Sequence, residues 1–96
     1  MVTDFDTALL MRRIAEATRG DADAAYDLGV AFSTGTAGAA LDLIAAHKWF
    51  NLSAARGNVA AAQARTEIAE DMTAREIATA QRAARDLLVG MQRRAA

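Results

Sequence analysis

The chain contains no cysteine and no proline, a single histidine, and only five aromatic residues among its 96. Each scarcity removes a class of protein. Without Cys there is no disulfide framework, no thiolate nucleophile and no Cys-based zinc site. One His cannot build a multi-His metal centre. Without Pro, the turns fall to Gly, of which there are six. An excess of one charge is also missing: 11 Lys plus Arg against 12 Asp plus Glu leave a formal net charge of -1. A general nucleic-acid binder would show a clear basic excess, so nucleic acid is not an expected partner. Long apolar runs are absent too, and nothing approaches the roughly 18 uninterrupted apolar residues of a membrane span. At the N-terminus Asp4 and Asp6 come first and Arg12-Arg13 interrupt the short apolar run Ala8-Leu9-Leu10-Met11, unlike a secretory signal. The expectation is a cytoplasmic protein that does not engage membranes.

What is present is alanine, about a quarter of the chain, within a hydrophobic share of 53%. Alanine is the strongest helix former and is used sparingly in strands. No strand-like alternation is found, and the chain is too apolar to be disordered. An all-α domain with a core of small side chains follows.

Two segments align without a gap at an offset of 37 residues: Ala17-Thr18-Arg19-Gly20-Asp21 and Ala54-Ala55-Arg56-Gly57-Asn58. In each, Gly supplies the left-handed residue that ends a helix, and Asp or Asn caps the next one. These marks divide the chain into five predicted helices. Helix 1 covers about residues 3–18 with a capping-type start at Thr3 and Asp6, and helix 2 about 21–32. The loop-like stretch Ser33-Thr34-Gly35-Thr36-Ala37-Gly38 follows. Helix 3 covers about 40–56 and helix 4 about 58–71. Thr73-Ala74-Arg75-Glu76 is a capping box that opens helix 5, expected to run to about residue 89 and to end near Gly90.

The apolar spacing assigns faces to these helices. Ala24, Leu28 and Phe32 form one stripe of helix 2, and Ala46, Trp49, Phe50 and Ser53-Ala54 one stripe of helix 3. Trp49 is therefore expected in the core. On helix 5, Ile77, Ala80, Ala84, Leu87, Leu88 and Met91 share an apolar face, with Arg75, Arg82 and Arg93 opposite and Arg85 at the flank. Residues 73–96 sum to +3 and residues 1–72 to -4. The near-neutral chain is an acidic body with a basic tail.

Helices 2 and 3 together resemble a Sel1-like repeat, a relative of the tetratricopeptide helix pair. The resemblance rests on Gly20, Ala24, Tyr26, Leu28-Gly29 and Phe32, then Gly35, Asp42, Ala46, Trp49-Phe50 and Ala54-Ala55. It implies one complete repeat at 20–56, a half-repeat helix at 1–19, a partial repeat at 57–72 and a capping helix at 73–96. The fold so implied is a short right-handed α-solenoid of about five helices in a single domain. Two departures stand out. Ala37 occupies the second position of the usual Gly-x-Gly, with Gly38 next, and helix 4 carries Arg65 and Thr66 where a repeat would have Leu and Gly. The second departure suits a terminal unit.

No catalytic constellation emerges. His47 has no cluster of partners in sequence and reads as an ordinary exposed or packing residue. Asp21, Asp23 and Asp27 fall in the first turns of helix 2, where carboxylates favour the helix dipole, and no EF-hand pattern accompanies them. Gly35-Thr36-Ala37-Gly38 lacks the Lys-Ser/Thr ending of a P-loop, and Ser33 and Ser53 have no nearby base. Neither an enzyme nor a cofactor is expected. The resemblance implies instead a protein–protein interaction module, an adaptor or scaffold whose first helices line a concave face. On helix 2 that face would carry Asp23, Asp27 and Val30, and the 37-residue offset maps them to Ala60, Ala64 and Glu67 of helix 4. A second candidate surface is the face of Arg75, Arg82, Arg85 and Arg93, which as a plain solvated face needs no partner and as a docking face suits an acidic partner or an anionic membrane. The alternative to an adaptor is a self-associating structural protein that stacks through helix 1 against a second copy, because the repeat pattern leaves that edge uncovered.

Overall fold

The computed structural model describes residues 4–95. It is all-helical: α1 (Asp4–Thr18), α2 (Ala22–Thr34), α3 (Leu43–Ala55), α4 (Val59–Ala69) and α5 (Ala74–Ala95). The capping start proposed at Thr3 lies outside the described residues.

Local chemistry sets most of the boundaries. Asp21, Asp42 and Asn58 are N-caps in extended backbone conformation, their side chains accepting from the amides of Ala24, Ala45 and Ala61 at 3.0, 3.0 and 3.1 Å. Gly20 and Gly57 turn the chain with φ of 105° and 103°. At both, the amide after the glycine reaches back to close the preceding helix: Asp21 N to Glu16 O and Asn58 N to Ser53 O, each 3.1 Å. The capping box of α5 is complete, with Thr73 N donating to Glu76 Oε1 (2.8 Å) and Glu76 N to Thr73 Oγ1 (3.1 Å).

Two boundaries differ by three residues or more from those the sequence predicts. Helix 3 begins three residues later than expected because Asp42 is its cap, and the Asp42 amide donates to Phe32 O at 2.9 Å. Helix 5 does not stop near Gly90 but continues to Ala95. Met91 on its next turn is buried in the core, and that contact outweighs the roughly 1 kcal/mol a mid-helix glycine costs.

α3 is the central element. One side joins Trp49 and Leu52 to Ala17 of α1, Ala24, Ala25 and Leu28 of α2 and Met91 of α5, with Leu10, Ile14, Leu87 and Leu88 around them. Its other side joins Ala46 and Phe50 to Ala61 of α4, flanked by Tyr26, Ala64 and Ile68. Small residues let the helices approach closely and the rings fill what remains. The Tyr26 and Phe50 rings meet at 5.6 Å and 55°. Ser53, fully buried, donates to Ala22 O of α2 at 2.7 Å, so its hydroxyl is satisfied inside the core.

α5 lies along α3 and not against α4, which precedes it. It covers the core shared by α1, α2 and α3, and the outer side of α4 stays open, with Val59 83% exposed.

Candidate interaction surfaces

The buried stripe of α2 is Ala24, Ala25, Leu28, Gly29 and Ala31, which turns Asp23, Asp27 and Val30 outward. All three are exposed. Beside them is a recess of about 300 Å³ lined by Arg13 of α1, Tyr26, Asp27, Val30 and Ala31 of α2, and Thr36 and Ala37 of the α2–α3 loop. The loop is braced against the start of α1. At Gly38 a Cβ would lie 2.8 Å from the Asp6 carbonyl oxygen, and Ala37 takes a left-handed conformation with φ of 54°. Thr36 and Thr34 share a hydrogen bond between their hydroxyls at 2.7 Å.

The equivalent positions on α4 do not join this recess. Ala60 and Glu67 are exposed, but Ala64 is half-buried against the Phe50–Ala61 cluster. α4 is held by its Ala61–Ala64–Ile68 face, so its outward side is set by packing and is not a copy of α2's. Arg13, Thr36 and Ala37 were beyond sequence reasoning, since their meeting is a product of how α1, α2 and the loop pack. Tyr26 was visible only as a residue of the repeat pattern.

The basic face of α5 is built as its periodicity implies. Ala80, Ala84 and Met91 are buried, and Arg75, Arg82, Arg85 and Arg93 are exposed. Arg82 reaches Thr79 Oγ1 at 3.5 Å, and Glu76 is engaged in the helix cap. Among the described residues none of these arginines is paired with a carboxylate.

The remaining candidates are placed in the packing. His47 is buried, not exposed, and its Nδ1 has no hydrogen-bond partner among the described residues. Burial foremost, and then the positive charge of Arg65, hold its pKa below the ordinary 6.5. Arg65 itself donates to Asn51 Oδ1 at 2.5 Å, tying α4 to α3. Ser33 donates to Val30 O at 2.9 Å. Asp21 serves as the α2 cap. Among the described residues no group of three or more His, Cys, Asp and Glu is placed to hold a metal ion, and no helix is long and apolar enough to cross a membrane.

No protein-family model matches this chain, and no curated protein or solved structure matches it either.

Proposed function

We propose that the chain is a non-catalytic protein–protein interaction module, a small adaptor or scaffold that takes a peptide or protein partner on a helical-repeat surface. In this reading α2 and α3 form one Sel1-like unit, α1 and α4 are its half-unit neighbours in a short right-handed solenoid, and α5 is a covering helix. The observation that carries it is the exposed stripe Asp23, Asp27 and Val30 beside a recess on the same helix. A close-packed interior leaves that stripe without an internal role, and concave sites with a few converging polar groups are where partners bind. The Arg75, Arg82, Arg85 and Arg93 face is the second surface on which an acidic partner would sit.

The test is affinity capture with the intact chain beside two charge reversals, Asp23→Lys with Asp27→Lys, and Arg75→Glu with Arg82→Glu. Loss of a partner in the first variant alone places the interface on α2, and loss in the second alone places it on α5. Equal capture by all three chains overturns both surfaces.

One observation favours self-association as a second reading: on α1, Phe5 is 74% and Met11 65% exposed. Large apolar side chains left in water on α1 are what a second copy would cover. A mass by light scattering that stays monomeric across a wide concentration range rejects it.

A further inference from the structure

The recess beside α2 is walled by two opposite charges that do not meet. Arg13 reaches it half-buried from α1, and Asp27 stands exposed on α2. Among the described residues neither makes an ion pair or a side-chain hydrogen bond, with each other or with any other group. An ion pair between such solvent-facing groups gains little net free energy, and the backbone holds the walls of the recess. The packing of α1 on α2 does so on one side, and on the other the loop is braced through Gly38 on Asp6. The remaining lining includes aliphatic Val30, Ala31 and Ala37.

We infer that this recess binds a segment of a partner polypeptide that carries an acidic and a basic side chain close together, with a small aliphatic side chain beside them. The inference rests on the interaction-module reading and narrows it to a ligand class. Arg13 takes the carboxylate, for which a guanidinium offers paired donors. Asp27 takes the ammonium, and the aliphatic group lies on Val30, Ala31 and Ala37. The exposed pair Asp23 and Asp27 alone would suggest a purely basic peptide, but such a peptide brings like charge to Arg13. A purely acidic one meets Asp27. At about 300 Å³ the recess is at the small end of ligand sites and admits a short segment, not a whole helix.

The experiment is an NMR titration of the isotope-labelled full chain with three capped tetrapeptides. One has the sequence glutamate-valine-alanine-lysine, and in the others both charged positions are lysine or both are glutamate. The mixed peptide is expected to move the amides of residues 26–37 and to bind about tenfold tighter than either single-sign peptide. Arg13→Gln should weaken the mixed and all-glutamate peptides and strengthen the all-lysine one. Asp27→Asn should do the reverse with the two single-sign peptides. Opposite signs in two variants are not produced by a general loss of structure. Affinities equal within about threefold for the three peptides, or no shift up to about 10 mM, overturn the inference. Shifts confined to α5 overturn it as well and leave the interaction-module reading in place, whereas failure of the intact chain to capture any partner removes that reading itself.

Discussion

The Phe50 ring fills the space in which a Cβ on Gly29 would stand: a carbon built there lies 2.4 Å from both Cδ1 and Cε1 of the ring. Gly29 is buried within α2 and Phe50 within α3, so this contact sets how closely the two helices approach. Gly29 is helical and carries no positive φ, so its glycine is required by the neighbour and not by the backbone.

Gly29→Ala is accordingly expected to destabilise the fold. Alanine gains up to about 1 kcal/mol of helix propensity, against about 1–3 kcal/mol or more for forcing a methyl into a packed ring. Phe50 is enclosed by Ala46, Ala61 and Tyr26 and has little room to yield. Urea denaturation should give a net loss, and part of it should be recovered in a Gly29→Ala, Phe50→Leu double variant measured against Phe50→Leu alone. A stabilised Gly29→Ala would show that the helices can part at no cost.

Trp49→Ala is expected to cost about 3–5 kcal/mol, because the indole is 4% exposed at the junction of α1, α2, α3 and α5. Lys48 Nζ, 4.6 Å from the ring centroid, loses its cation–π contact in the same change. Val59→Ala on the open side of α4 serves as the control, expected within about 0.5 kcal/mol of the parent. Equal melting of the two variants would remove Trp49 from the centre of the core.

Much of this architecture was legible because it is local. Arg19-Gly20-Asp21 and Arg56-Gly57-Asn58 predicted two helix–turn–helix junctions, and both form with matching φ values and matching backbone bonds. Thr73 and Glu76 behave as their spacing implies. The stripes of α2, α3 and α5 were readable as apolar faces, yet periodicity does not say which helix receives a face. Hence the packing of α5 on α3 and the continuation of α5 past Gly90 were not foreseen, since both depend on Met91 finding the core. The recess was illegible for the same reason. Arg13 and Asp27 are 14 positions apart and are brought to one cavity only by the packing of α1 on α2.

The α2–α3 loop makes a paired prediction. Ala37, at the second position of the expected Gly-x-Gly, has φ of 54°, a conformation that costs a residue with a Cβ roughly 1–2 kcal/mol. Ala37→Gly should therefore be neutral to stabilising by up to about 1 kcal/mol, the relief of strain being offset by greater freedom in the unfolded chain. Gly38→Ala should destabilise, since its φ is 86° and its Cβ would press on the Asp6 carbonyl oxygen. Thermal melts of the two variants should move in opposite directions or, for Ala37→Gly, not at all. A destabilising Ala37→Gly together with a silent Gly38→Ala would contradict the loop's backbone.

His47 gives the fold a dependence on pH whose sign follows from its surroundings. Burial, and secondarily the Arg65 charge, lower its pKa in the folded chain below the 6.5 it has when unfolded. Well above pH 6.5 both states hold a neutral imidazole, and the residue adds no pH dependence. As the pH falls through 6.5 the unfolded chain takes up a proton that the folded chain declines. Stability is thus lost progressively until the pH passes the lowered folded-state value. The buried Nδ1, without a partner among the described residues, offers an incoming proton no acceptor. Urea midpoints should fall between about pH 7.5 and about pH 5.5, and His47→Gln, which cannot titrate, should flatten that slope whatever it does to the absolute stability. Identical slopes for the two chains would mean that the imidazole titrates alike folded and unfolded, and would place His47 in contact with water.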